Sequence, residues 1–449
     1  MDPEGAGAAM SDRFDVAIVG AGPGASMAAY CLAKAGLSVI MFERGDAPGS
    51  KAMFGGVLYT PILEQFFPDF VGAGCVERHV VEKRFCLLAE SDEIALSFRF
   101  LDFAPPYYNH SFTGLRARFD RWLAGKAEEA GAVLVTVTVV DEVWREAGRI
   151  VGVRARRAGG DVRADVVIAA DGANSLLAKQ AGLRKELPLS VILGVKEVVS
   201  LPREIIEDRF NLEGTEGAAI EYLGGGAVGG LMGAAFIYTN NDTLSVGYGC
   251  PLHALKDLKE QPHELLNQFK LHPSVRRLLR GTAPEEYSAH LIPELGPADL
   301  PQLVTDGMLV IGGAAGLINA NPIFHEGTNM AMASGILAAR AIIDAHKRGD
   351  FSATALSAYE DALRRSFAWQ DMTRYQRLTR MAETHPQFFS KYPYELARLA
   401  KRLMTVQAAD ADFQIPKRQL ELDVLDRFLA EIGVYSFARD MADAARAMI

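Results

Sequence analysis

Short apolar runs and the spacings between them set the first reading of this chain. "FDVAIV" from Phe14 and "LSVIMF" from Leu37 have the length and character of buried strands, and "MAAYCLAK" between them reads as a helix after the glycine turn. Strand, glycine turn, helix to about Ala35 and strand make a βαβ unit. Residues 50–110 show no sustained period and read as irregular, with several aromatics and Pro105-Pro106. "RARFDRWLAGKAEEAG" from Arg116 puts Phe119, Trp122, Leu123 and Ala127 at helical spacing and stops at Gly131. "VLVTVTVV", "IVGVRAR" and "ADVVIAADG" follow as strands. Between 190 and 290 the strands "VILGVKEVV", "AAFIYT" and "TLSVGYG" alternate with short helices such as "PHELLNQFKLH". "MLVIGGAAG" then repeats the opening move from strand to glycine turn, and "NMAMASGILAARAIIDAHKRG" continues it as a long helix. From Phe351 the pattern is nearly all helical, with no glycine between Asp350 and Ile432.

This order predicts an α/β, Rossmann-like architecture whose first domain is discontinuous. Residues 13–85, 111–185 and 290–350 form the nucleotide-binding part, 86–110 and 186–289 a β-rich domain, and 351–449 a helical region. Residues 1–12 are set aside as a flexible tail, with Met10 a candidate initiator. No basic segment followed by an apolar run marks a signal peptide. At 449 residues, 49% apolar and 23% charged, the chain can bury a large core without disulfides or a metal. Its net charge of -9 speaks against a nucleic-acid partner. Cys31, Cys75, Cys86 and Cys250 are far apart, without the spacing of a zinc or iron–sulfur site, and suit a reducing cytosol. The longest apolar stretch, from Gly217, is broken by Glu221 and rich in glycine, so it reads as hairpin strands and leaves only peripheral membrane contact.

Candidate chemistry gathers at the glycine turns. Gly20, Gly22 and Ala25 stand in G-x-G-x-x-G/A spacing between a strand and a helix, with Gly24 inside the same turn. Gly20 permits the turn, Gly22 lets backbone approach a pyrophosphate, and the helix start offers unpaired amides to that anion. Glu43 ends the second strand about 20 residues on, where a carboxylate binds ribose hydroxyls and favours FAD or NAD over NADP. Arg44 and Lys51 follow in "ERGDAPGSK". Two further strand ends, Asp171-Gly172 and Gly312-Gly313, are typical of flavoproteins that wrap an extended FAD through three separated segments. Arg116 sits where such flavoproteins use an arginine near the FAD phosphates, with Arg118 competing for that role.

The series "GAGPGA", "ERGDAPGSK", "LRARFDRWL", "AADGANS" and "GGAAG" resembles the geranylgeranyl reductase and FixC superfamily of FAD proteins. "PGSKAMFGGVLY", "EDRFNL", "EGAAIEYLGG", "IYTNNDTLSVG", "YSAHLIPELG" and "QDMTRYQRL" resemble its FixC branch, and the likeness runs from Phe14 to the end. It implies a GR2-type FAD-binding fold with an inserted β-rich substrate or quinone domain and a helical C-terminal region. It also implies partners: a FixA/FixB-type electron-transfer flavoprotein, a FixX-type ferredoxin subunit holding the iron–sulfur cluster, and a quinone acceptor. The low cysteine count agrees with a separate FixX-like subunit. Relatives usually carry Gly-Asp where this chain has Gly312-Gly313, the aspartate bonding a ribityl hydroxyl; water or Asn319 would have to substitute.

The reading that follows is FAD-dependent electron transfer from the FixAB-type flavoprotein to a quinone, with electron bifurcation and nitrogen fixation as open contexts. A prenyl (geranylgeranyl) reductase, an NAD(P)H-dependent flavin monooxygenase and a subunit with an inert flavin are the alternatives. "INANPIFHEGTNMAMASG" is expected to line the isoalloxazine side: Gly316 and Gly327 allow close approach, and Thr328 opens or caps a helix aimed at the ring. His325 and Glu326 are either proton donors to the acceptor or an idle surface pair. The glycines of "YLGGGAVGGLMGAAF" either leave room for an isoprenoid tail or ease strand packing. Lys391, Arg398, Lys401 and Arg402 among the aromatics of the C-terminal region suit core cover, an interfacial helix or a FixX docking face. A cytoplasmic protein peripheral to the inner face of the cell membrane is expected.

Overall fold

A computed structural model describes residues 13–52, 55–100, 102, 109–185, 191–256, 258, 260–293, 295–320, 325–405 and 417–448. The expected tail at 1–12 and Pro105-Pro106 lie outside them.

The apolar runs at Phe14 and Leu37 become the centre of an eight-stranded sheet, in the order Val304–Thr305, Met308–Val310, Asp161–Ala169, Arg13–Val19, Val39–Phe42, Val133–Val135. Every strand from Met308–Val310 across to Val133–Val135 pairs in parallel, and the central ones, Val16–Val19, Val39–Phe42, Val166–Ala169 and Met308–Val310, are buried on both faces, which is why they read as continuous apolar runs. Register decides where the turns emerge. Val19 pairs with Ala169 and Phe42, and Ala169 pairs with Val310, so Gly20, Glu43, Asp171 and Gly312 all leave the sheet at one carboxyl edge.

The opening helix, Pro23–Lys34, crosses the long helix Thr328–Arg348 on one face of this sheet. Their backbones nearly touch: a Cβ on Gly335 would stand 2.1 Å from the Gly24 carbonyl oxygen. Glycine at both positions is what allows that approach.

A second, nine-stranded sheet runs Ala283–Ile292, Ile192–Ser200, Thr243–Pro251, Ala234–Thr239, Glu216–Leu223, His79–Leu88, Ser111–Leu115, Gly55–Tyr59, with Glu93–Arg99 attached to His79–Leu88. Four of these strands come from the region between 50 and 115, so the expectation of irregular chain at 50–110 is corrected. The alternation there is hidden by charge: Glu82, in mid-strand, is buried but satisfied by Arg84 at 2.7 Å, Ser97 at 2.7 Å and Arg99. Gly55–Tyr59, His79–Leu88 and Ser111–Leu115 therefore share a sheet with residues 192–292, and the sheets do not divide at residue 85. "VLVTVTVV" is also not one strand. Val137 adopts φ +52, which breaks the run between Val133–Val135 and Val140–Glu146.

Beyond residue 351 the described chain is helical, including Phe367–Thr384, Tyr392–Met404, Lys417–Ile432 and Val434–Met448. No helix among the described residues is long and apolar enough to cross a membrane.

Candidate functional site

A cavity of about 540 Å³ lies along the carboxyl edge of the first sheet and is closed from the other side by the second. Both glycine turns line it, with Gly20 and Gly22 at one end and Gly312 and Gly313 further along. One elongated ligand can therefore contact both turns.

At the first turn, Gly20 has φ +106, and a Cβ there would stand 2.3 Å from the Ala170 oxygen. Only glycine fits between the two strand ends. The opening helix begins after Gly22 with no side-chain cap and no acid in its first turn, so its amides and positive dipole end face the cavity unneutralised. Arg116 supplies the matching cation: its Nη2 lies 3.4 Å from where a Gly22 Cβ would be, and its guanidinium is held by two bonds to the buried Asp120. Burial raises the Asp120 carboxyl, Arg116 opposes this, and Glu43 adds to it. Arg118 is drawn away to Glu77 at 2.8 Å and does not line the cavity, whereas Arg116 does.

Glu43 accepts from the Ala21 amide at 3.2 Å and the Gly45 amide at 2.7 Å, tying the turn to the second strand while lining the cavity. Arg44 and Lys51 line its exposed rim. Gly24 and Ala25 also border it, although Gly24 mainly permits the helix crossing. Asp171 accepts from Ser175 Oγ at 2.6 Å and from the Leu177 amide at 3.2 Å, and burial raises its carboxyl. Gly172 borders the cavity beside it.

At the other end stand Asn319, His325, Glu326, Gly327 and Thr328. Asn319 pairs with Glu326, and Ala320 with His325, in a two-stranded ladder. Two expectations are corrected here. Gly316 does not reach the cavity wall: it ends the turn at φ +77, against Leu295 and Leu300. Thr328 does not cap the long helix, because Gly327 holds the cap position and has no side chain to bond the first amides. Those amides are thereby left to face the cavity. Gly313 leaves room: a Cβ there would meet nothing closer than 3.7 Å.

Glu326 is the most perturbed acid of this wall. Burial pushes its carboxyl from 4.5 up to about 7, with Asp371 adding to the shift and Asn329 and Lys83 opposing it. Its Oε2 is buried without a hydrogen-bond partner. The sequence reading missed Asp120, Tyr238 and His290, all on the wall, and Glu221 behind it. Burial, then Arg116 and Arg44, lower the His290 imidazole, so it stands near the cationic end. No local pattern marks these residues, since their partners lie in other segments; only the charge of Glu221 within an apolar run was a usable signal.

The cavity's donor set suits a dinucleotide with an anionic middle, and the comparisons agree. Residues 13–208 match the family described as FAD binding domain, which defines a FAD-binding flavoprotein. Protein FixC from Azotobacter vinelandii is 40% identical over 436 residues, covering 96% of this chain and 98% of that protein. Protein FixC from Bradyrhizobium diazoefficiens is 41% identical over 438 residues, covering 96% and 99%. The chain belongs to the FixC family, and its cofactor is FAD. Among solved structures, a geranylgeranyl bacteriochlorophyll reductase-like protein from Thermoplasma acidophilum aligns with TM-score 0.70 at 22% identity, covering 94% of this chain and 98% of that one. The flavin-dependent halogenase CmlS aligns at 0.64 and 20%, covering 90% and 70%. These two likenesses establish the fold.

Proposed function

We propose that this FAD-dependent oxidoreductase takes electrons from a FixA/FixB-type electron-transfer flavoprotein and passes them to a quinone, with a FixX-type ferredoxin as a further partner. The observation that carries the reading is the full-length likeness to FixC proteins, rather than to the nucleotide-binding segment alone. The bound FAD supplies the one- and two-electron chemistry. The chain supplies position and protons. Gly20, Gly22, the opening helix amides and Arg116 hold the pyrophosphate, Glu43 the ribose, and the Gly312-Gly313 turn with Asn319 the ribityl chain. The uncapped start of the long helix would favour negative charge on the ring of the bound cofactor.

A quinone taking two electrons also takes two protons, and Glu326 is suited to deliver one, since an acid near 7 is half-loaded at neutral pH. His325 beside it is the second donor. Peripheral contact with the inner face of the cell membrane would give a lipid-soluble acceptor access.

The test is reduction of the purified FAD-loaded protein. Reduced electron-transfer flavoprotein should support catalysed quinone reduction, while NADH or NADPH alone should leave the flavin oxidised. Rapid reduction by NAD(P)H without a partner would replace this reading with a monooxygenase or prenyl reductase.

A further inference from the structure

Behind the cavity wall lies a carboxylate that the cofactor site does not use. Glu221 sits in mid-strand of Glu216–Leu223, its side chain 9% exposed. Tyr238, on the antiparallel neighbour, donates its hydroxyl to Glu221 Oε1 at 2.6 Å. The Tyr238 ring is fixed in turn by stacking on Phe236, with centroids 4.7 Å apart and planes 10° from parallel. The same Oε1 lies 3.7 Å from His325 Nδ1, and Glu221 Oε2 is buried with no hydrogen-bond partner. A buried carboxylate with an unmet acceptor is costly unless something makes use of it.

We propose that Glu221 is a positioning residue for His325: it keeps the imidazole proton on Nδ1, presents Nε2 to the cavity, and balances the imidazolium that forms when a proton passes. An imidazole's two nitrogens are set by what each faces, so an anion at Nδ1 selects the tautomer with Nε2 unprotonated. Tyr238 anchors Glu221 by donating to the same Oε1 that His325 Nδ1 approaches, which fixes the oxygen the imidazole faces. Other charged and titratable groups surround the two glutamates. Tyr59 and Lys83 come from neighbouring strands, with Lys83 Nζ 3.4 Å from Tyr59 Oη, and both interact with Glu221 and Glu326 alike. Asp371 and Tyr375 interact with Glu326 from helix Phe367–Thr384, and Arg374 on the same helix counters the charge of Asp371. Of these groups, Glu221 is the carboxylate within 4 Å of His325 Nδ1.

The function of this arrangement rests on the electron-transfer reading above. Quinone plus two electrons and two protons gives quinol: the electrons come from the reduced flavin, one proton from Glu326, and the other through His325 Nε2, which is reloaded from solvent.

The test uses the FAD-loaded protein and nitrogen and carbon NMR of labelled histidine side chains, with the His325 signals assigned by their loss in H325Q. The Nδ1-protonated form should dominate in the parent and in E221D, and lose its preference in E221Q. Y238F keeps the ring stack and removes only the anchoring hydroxyl, so it should weaken the preference too, and it carries the test if E221Q does not fold. An unchanged tautomer in the folded variants overturns the assignment. As a second readout, flavin photoreduced without any partner protein is reoxidised by a soluble quinone. E221Q should slow this on the order of tenfold or more, with a changed pH profile; equal rates and profiles would overturn the proton role. A tautomer that depends on Glu221 in a protein that never passes electrons to quinone would leave the positioning intact and sink the electron-transfer reading instead.

Discussion

Replacing Glu326 by glutamine tests the buried acid directly, because glutamine keeps the shape and cannot ionise. The carboxyl stands at about 7 in the folded protein against 4.5 in the ordinary case. Between those values the folded state still holds the proton that the unfolded chain has released. The stability linked to the protonated acid is therefore whole below about 4.5 and is lost as pH rises through 7. At about 1.4 kcal/mol per pH unit the loss across the window comes to ~3 kcal/mol. Urea unfolding of parent and E326Q at one saturating FAD concentration, between pH 5 and 8, measures it. The parent should lose stability relative to E326Q as pH rises, most steeply between 5 and 7, and the two should run level above about 7.5. Parallel curves over the whole range would mean that Glu326 is not held protonated by burial, and the proton role proposed for it would go with that.

Three further outcomes follow from the site's geometry. Gly20→Ala forces a Cβ into the Ala170 carbonyl at a left-handed backbone position, which should cost ~2–4 kcal/mol and empty the purified protein of FAD, read from its visible spectrum. Gly313→Asp should keep its FAD, because the Cβ has 3.7 Å of clearance and the backbone is not left-handed; loss of flavin would show that this turn is built differently from its relatives. Arg116→Gln should weaken FAD binding about tenfold or more while Arg118→Gln leaves it unchanged, since one guanidinium faces the phosphate turn and the other is paired with Glu77; equal effects in flavin titrations would refute that division.

Where an element is held by its own residues, it was legible in the sequence. The βαβ opening, the helix from Arg116 and the long helix after Gly327 all follow from local apolar spacing, and they survive because the buried sheet demands that spacing. The strands at 79–88 and 93–99 were not legible: Glu82, Arg84 and Arg99 break the alternation, and only the pairing of Glu82 with Arg84 on its own strand and with Arg99 on the next allows them there.

The site divides along the same line. Gly20, Gly22 and Glu43 were readable because a nucleotide turn and the strand that follows it lie close in sequence, within one unit. So was the likeness to a family, which identifies FAD. Which of Arg116 and Arg118 lines the cavity depended on Glu77, dozens of residues away, capturing one of them. That Glu326 is an unusual acid, and that Glu221 faces His325, depends on burial and on two strands brought together from distant parts of the chain. Local backbone preference acts over a few residues, whereas desolvation and charge act through space; the first is written in the order of the amino acids, and the second exists only once the two sheets have closed over the cavity.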